Sequence, residues 1–325
     1  MVKNEKNIPN LPWEDRPLGS TDSVWRYSGN PIIGRNSERN LARVFNSALV
    51  PYKGSFKGIF RAEDRTGIPH LYVGSSKDGI HIVLEEKAIS FVDEEGKETS
   101  SHYQYDPRLV ELEGAYYVTW CDDFYGPALA IAKTTDFKTF VKINHPYLPF
   151  NRNGVLFPRK IEGKYVMLSR PSDSGHTAFG DIFLSRSPDL HYWGDCAHVM
   201  ERGWEWWNLT KVGAGCNPIE TSEGWLLLFH GVTNTCNGFV YSFGGALLDL
   251  KDPSKVLFRS TDYFLTPEES YEVSGFVPNV CFPTSALVDQ ATGRMAIYYG
   301  AADTYTALCF SQVDILVDYI KKHSR

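Results

Sequence analysis

The sequence predicts an all-β protein, a five-bladed β-propeller with an N-terminal extension over residues 1–30 and a short C-terminal helix over 312–325. Two patterns carry that expectation. In the first, a Gly turn, an aliphatic-aromatic run and a polar cluster follow one another five times: KGSFKGIFRAED (53–64), EGAYYVTWCDD (113–123), EGKYVMLSRPSD (162–173), EGWLLLFHG (223–231) and TGRMAIYYGAAD (292–303). Anchored on Phe60, Trp120, Ser169, His230 and Gly300, the steps are 60, 49, 61 and 70 residues. The second pattern falls between these units as SSKDGIHIV (75–83), TTDFKTF (134–140) and SRSPDLHYW (185–193). It adds a turn between two more strands, so each unit holds about four strands, the signature of a propeller blade.

Each element follows from local chemistry. Residues 1–30 carry Trp13, Trp25 and Tyr27, too many large aromatics for a solvated tail. This extension is expected to pack on its own chain or on a neighbouring copy. In each of the five units the Gly supplies the turn, and the apolar run behind it reads as the second strand of a hairpin. The Ser/Thr-Asp segments read as tight turns, because a short acidic side chain accepts from nearby backbone N–H groups. The stretch YQYDPRLVELEGAYYVTW (103–120) reads as a loop and the outer part of a blade, leading through a Gly turn into an inner strand. Helical periodicity shows in QVDILVDYIKKHSR (312–325), where Val313, Ile315, Leu316 and Ile320 mark one face. Nothing resembling a linker divides the chain, so 1–325 is expected to form one domain.

Composition narrows the function. Net charge is −6, and Lys and Arg are scattered without a basic run, which argues against nucleic acid. No stretch approaches the ~18 apolar residues of a membrane span. The first residues lack the apolar centre of a secretory signal, so a cytoplasmic protein is expected. The six cysteines form no C-x-x-C pair, which fits buried reduced thiols. The nine histidines show no ligand spacing, so no metal is expected, and His70, His81, His191 and His198 read as turn or surface residues. Aromatic residues make up 14% of the chain, which suits either sugar stacking or an aromatic-rich β core.

The repeat ends carry the chemistry. They hold Arg61, Glu63 and Asp64; Asp122 and Asp123; Arg170 and Asp173; His230; and Asp303. If the repeat is circular, these converge. FNRNGVLFPRK (150–160) adds Arg152 between Asn151 and Asn153, and TKVGAGCNP (210–218) adds Lys211 before a Gly-rich turn. That turn lacks P-loop spacing, so it is not a nucleotide site. Arg152, Arg170, Lys211 and His230 together would make a cationic pocket suited to phosphate. Tyr103, Tyr105, Tyr241, Phe282 and Trp120 lie near these positions, and strand packing explains Trp120 at least as well.

With these motifs on the page, FNSALVPY, YDPRL, FNRNGVLFPRK, LSRPSDSGHTAFGDIF, GAGCNP, WLLLFHGV and IYYGAADT together resemble glycoside hydrolase family 130, the β-mannoside phosphorylases. The resemblance runs from about residue 25 to 310. It implies a five-bladed propeller that needs no cofactor beyond inorganic phosphate as co-substrate. Phosphate would attack the anomeric carbon of a terminal β-mannosyl unit with inversion, giving α-mannose 1-phosphate. By the same resemblance Asp106 matches the proton donor, acting through a hydroxyl of the mannosyl ring. Arg152, Arg170, Lys211 and His230 match the phosphate set. Asn46, Ser47, Arg61 and Asp303 match positions around the mannosyl unit, and Asn153 is expected among the substrate-binding residues. Tyr105, Asp173, His176, Tyr241 and Phe282 fall where the leaving sugar is expected. Tyr105 stands where much of the family has Glu. That points to the subgroup acting on β-1,4-mannosides with N-acetylglucosamine or mannose at the reducing side. Terminal extensions of this kind imply a homo-oligomer.

Two other readings compete. A propeller hydrolase would pair Asp106 with a base drawn from Asp64, Asp122, Asp123 or Asp303, because inverting hydrolysis needs a second carboxylate to activate water. A non-catalytic sugar-binding propeller would explain the aromatics but not an acid beside four cationic candidates.

Overall fold

The computed structural model describes residues 2–3, 5–37, 40–172 and 180–324. Five sheets form the blades of the expected propeller. The first contains Arg43–Tyr52, Ser55–Glu63, Pro69–Ser76 and Val83–Ala88. The second contains Gln104–Leu112, Ala115–Asp123, Pro127–Thr134 and Phe140–Asn144, with Phe91–Val92 and Glu98–Thr99 on its outer edge. The third contains Asn151–Leu156, Tyr165–Pro171, Ile182–Ser187 and Gly194–Met200. The fourth contains Lys211–Ala214, Gly224–Thr235, Gly238–Leu248 and Val256–Arg259, with Ile219–Thr221 also pairing Gly224–Thr235. The fifth contains Cys281–Val288, Arg294–Ala301 and Tyr305–Gln312, and takes its fourth strand, Trp25–Arg26, from the N-terminal extension.

All five repeated runs are second strands of their blades, as expected. The strands that gather around the axis are the first ones: Arg43–Tyr52 packs on both Gln104–Leu112 and Cys281–Val288, and Gln104–Leu112 on Asn151–Leu156. The stretch 103–120 is therefore the reverse of its reading. Gln104–Leu112 is the innermost strand, and Ala115–Asp123 is the next one out. Both are mostly buried, so hydrophobicity does not separate them.

The Ser/Thr-Asp segments join third to fourth strands in the first three blades. Asp78 Oδ1 accepts from the backbone N–H of Ile80 and His81, Asp136 Oδ1 from Lys138 and Thr139, and Asp189 Oδ1 from His191 and Tyr192. The hydroxyl two residues earlier accepts a third N–H in each case.

The core is a set of layers between neighbouring blades, one layer per pair. Phe60 and Tyr298 lie between blades five and one, Trp120 between one and two, Met167 between two and three, Trp225 between three and four, and Leu228 between four and five. A strand packed on both faces needs no polar alternation, which explains runs such as WLLLFHGV. The N-terminal extension packs on its own chain: Ile8, Leu11 and Trp25 enter the layer between blades five and one. The helix Val313–Lys322 buries Val313, Leu316, Val317 and Ile320 against blades four and five. Ile315, expected on that face, packs instead beside the five-to-one layer.

All six cysteines are free thiols. Cys121, Cys216, Cys281 and Cys309 are buried as expected, whereas Cys196 and Cys236 are exposed. Among the described residues no helix is long and apolar enough to cross a membrane.

Candidate active site

Three innermost strands break register at the same point. The pairing shifts between Phe45 and Ala48, between Tyr105 and Arg108, and between Arg152 and Val155. The residue after each break begins has a left-handed backbone: Asn46 at φ 49°, Asp106 at 54° and Asn153 at 54°. Asn and Asp tolerate this region better than most residues, and a bulge turns a side chain out of the sheet alternation. All three line one cavity of about 440 Å³, together with Arg61, Tyr105, Arg152, Arg170, Ser172, Lys211, Phe239, Tyr241, Val277, Val280, Phe282 and Asp303. The sequence signal for this was present but unread. FNSALV (45–50), YDPRLV (105–110) and RNGVLF (152–157) place the bulged residue at the same offset.

One side of the cavity is cationic. Arg152 donates from Nε to the Tyr105 hydroxyl at 3.2 Å and from Nη1 to the Ser172 carbonyl. Arg170 donates from Nη1 to His230 Nε2 at 2.7 Å, while its Nε is buried without a partner. Lys211 Nζ lies 4.9 Å from the Phe239 ring centre and 5.7 Å from that of Tyr241. Among the described residues none of the three cations is ion-paired to a carboxylate. Burial, and then the charges of Arg170 and Arg152, pull the Lys211 ammonium down to about 8. Burial likewise lowers Arg170 to about 10. His230 is fully buried and held well below the ordinary imidazole value, first by burial and then by Arg170, Arg108 and Lys211. It is therefore neutral, and because Nε2 accepts from Arg170 its proton sits on Nδ1.

The other side carries the acid. Asp106 Oδ1 accepts from Asn46 Nδ2 at 2.7 Å and from Arg61 Nη1 at 2.9 Å. Arg108 turns away from this carboxylate, and its guanidinium donates to the backbone carbonyls of Asp106, Pro107 and Gly215. It pins the bulge from below. Asp303, half-buried across the cavity, is pushed up to about 6, first by burial and further by Asp106 and Glu63, against Arg61 and Arg43.

The structure thus brings Asn46, Arg61, Tyr105, Asp106, Arg152, Asn153, Arg170, Lys211, Tyr241, Phe282 and Asp303 onto one cavity. Two expected residues are not on its wall. His230 sits behind Arg170, and Ser47 is fully buried beneath the first bulge, its carbonyl accepting from Thr284 Oγ1 at 2.6 Å. Asp173 and His176 lie outside the described residues. Ser172, Phe239, Val277 and Val280 were missed, because a serine, an exposed phenylalanine and two valines give no chemical signal.

Of the bases considered for hydrolysis, Asp64 is exposed and bonded to Thr66. Asp122 is fully buried and taken up by Ser101, Lys142 and His145. Asp123 does not line the cavity. Asp303 alone of the four shares the cavity with Asp106. A second cavity, about 460 Å³, involves Lys3, Lys6, Glu111, Arg159 and Glu220, and is slightly larger. Its Lys6–Glu111 and Arg159–Glu220 pairs already neutralise much of its charge, so the smaller cavity holds the better candidate chemistry.

Comparison with known proteins agrees with this geometry. A family model described as β-1,4-mannooligosaccharide phosphorylase matches residues 4–322. A β-1,4-mannooligosaccharide phosphorylase from Ruminococcus albus is 51% identical over 99% of this chain and 98% of its own length. A 1,2-β-oligomannan phosphorylase from Thermoanaerobacter sp. strain X514 is 34% identical over 86% of this chain and 94% of its own. The structure of a β-1,2-mannobiose phosphorylase from Listeria innocua, in complex with β-1,2-mannobiose, superposes with a TM-score of 0.82 at 27% identity, covering 92% of this chain and 99% of that one. With its blades, its bulged inner strands and a family match over nearly its whole length, this chain belongs to glycoside hydrolase family 130.

Proposed function

We propose that the protein catalyses inverting phosphorolysis of terminal β-1,4-linked mannosides, releasing α-mannose 1-phosphate and the shortened saccharide. The observation that carries this reading is the division of one cavity into an acid side and a cationic side. Phosphate near neutral pH is already an anion and needs no base, so a cradle of Arg152, Arg170 and Lys211 does the work of a hydrolase's second carboxylate. His230 supports the cradle by holding Arg170. Asp106 gives its proton to a hydroxyl of the mannosyl ring, which passes its own to the leaving oxygen as the C1–O bond breaks and the new C1–O bond to phosphate forms. The proton that hydrogen phosphate brings restores Asp106, so the cycle balances. Asn46, Arg61, Asn153 and Asp303 are assigned to the mannosyl unit, and Tyr105, Tyr241 and Phe282 to the leaving sugar. Asp173 and His176 keep their assignment beside the leaving sugar, and Ser47 supports the Asn46 bulge. The β-1,4 linkage follows the Ruminococcus albus relative.

We also read the protein as a cytoplasmic homo-oligomer. The free thiols favour a reducing compartment. Tyr125 and Trp204, 93% and 85% exposed, favour a contact with another copy. Sedimentation analysis checks the second point.

The deciding experiment incubates the protein with β-1,4-mannobiose, β-1,4-mannotriose and β-1,4-mannosyl-N-acetylglucosamine, with and without phosphate. Mannose 1-phosphate is expected only with phosphate. Equal release of free mannose without it would overturn the reading.

A further inference from the structure

One buried carboxylate at the site has no part in the chemistry above. Glu63 ends the strand Ser55–Glu63 and is 1% exposed. It does not line the cavity, yet it organises two guanidinium groups. Its Oε1 accepts from Arg61 Nε at 3.0 Å and Nη2 at 2.6 Å. Its Oε2 accepts from Arg43 Nε at 2.9 Å and from Arg43 Nη2. The fork from Glu63 fixes the plane of Arg61, and the remaining nitrogen, Nη1, is thereby aimed at Asp106 Oδ1. Rings hold the same plane: the Arg61 guanidinium carbon lies 4.2 Å from the Phe45 ring centre and 5.1 Å from that of Tyr105. The far end of the chain is also fixed, since the Arg43 guanidinium carbon lies 3.7 Å from the Phe276 ring centre.

Strand pairing builds this arrangement. Arg43 lies opposite Glu63 and Phe45 opposite Arg61 on the first hairpin, just ahead of the bulge at Asn46. Among the described residues, one hairpin thus supplies both groups bonded to the Asp106 carboxyl, together with the carboxylate that orients one of them. Charge supports the same view. Glu63 between two arginines leaves one positive charge, which lies beside the Asp106 carboxyl.

We propose that Glu63 is a positioning residue for the phosphorylase reaction. It locks Arg61 so that the acid Asp106 and the mannosyl ring are held in one geometry. The inference rests on the assignment of Asp106 as the acid. Its weight comes from position: a misplacement of about 1 Å at reacting groups costs on the order of 100-fold in rate.

The test is a set of variants assayed for phosphorolysis of β-1,4-mannobiose, with kcat, the KM for phosphate and the thermal midpoint measured on each. Glu63→Gln keeps the shape but turns one acceptor into a donor facing an arginine. It is expected to lower kcat at least tenfold, with the KM for phosphate within twofold and the thermal midpoint within a few degrees of wild type. Glu63→Asp, which retains the charge, is expected to recover part of the loss. A kcat within twofold of wild type for Glu63→Gln would overturn the proposal, as would a loss that appears mainly in the KM for phosphate. If Glu63→Gln does not fold, Glu63→Asp decides, because the shorter side chain draws the carboxylate back from the Arg61 fork: a several-fold fall in kcat with the KM for phosphate within twofold supports the proposal, whereas wild-type kcat overturns it. Asp106→Asn is run in parallel. Activity retained there defeats the assignment of the acid, whereas an inactive Asp106→Asn beside a fully active Glu63→Gln defeats only the positioning role.

Discussion

Lys211 and Asp303 are both held in protonation states that cost the unliganded protein something. Lys211 titrates near 8, so its charge is present below that pH and lost above it. kcat/KM for phosphate should therefore fall as pH rises through about 8, and Lys211→Arg should move that limb upward, because guanidinium stays charged. A pH series at saturating mannoside checks both. Asp303 has the opposite sign. Its carboxyl titrates near 6 in the fold and near the ordinary 3.8 in the unfolded chain, so the folded state binds the extra proton between those values. The penalty is absent below about 4 and complete above about 6. Asp303→Asn should thus stabilise the unliganded protein at pH 7 by on the order of 1–2 kcal/mol while weakening turnover, as denaturant titration and kinetics would show. At this scale the residue types were legible because phosphate recognition demands arginine and lysine. The position of His230 was not. A histidine closing an apolar run looks the same whether it faces a ligand or backs an arginine, and only the 2.7 Å contact to Arg170 separates the two.

At the scale of the element, the bulge and its neighbouring strand act together. An ideal Cβ on Gly300 would stand 1.8 Å from Asn46 Oδ1, so the second strand of blade five must be bare where the first bulge of blade one faces it. Gly300→Ala should push Asn46 away from Asp106. We expect a tenfold or larger fall in kcat with a destabilisation of ~1–3 kcal/mol, measured by steady-state assay and thermal melting. Gly213 has the same role behind Arg170, where a Cβ would come within 2.8 Å of Nη1. The hairpin turns, the Asp-capped turns and the C-terminal helix were readable because each rests on a local preference. The inner and outer order of Gln104–Leu112 and Ala115–Asp123 was not, since that order depends on which sheet face meets the axis.

At the scale of the molecule, the five-fold period was the most legible feature, because each blade repeats the same strand and turn chemistry. Closure of the ring was only half legible. The aromatics of 1–30 announced packing, but not that Trp25 and Arg26 would pair with Phe310 and Cys309 as the last strand of blade five. Trp25→Ala should cost ~3–5 kcal/mol, and the resulting loss of stability should inactivate the enzyme before its secondary structure melts, as parallel activity and circular dichroism scans would reveal. The three left-handed bulges have a wider consequence. Each presents one side chain from a rigid inner strand at an equivalent address, so the group offered to a ligand is uncoupled from the scaffold that offers it. Exchanging Asn for Asp at such an address would alter what the socket grips without re-laying a strand. A propeller of this kind can thus diversify its sugar chemistry one letter at a time.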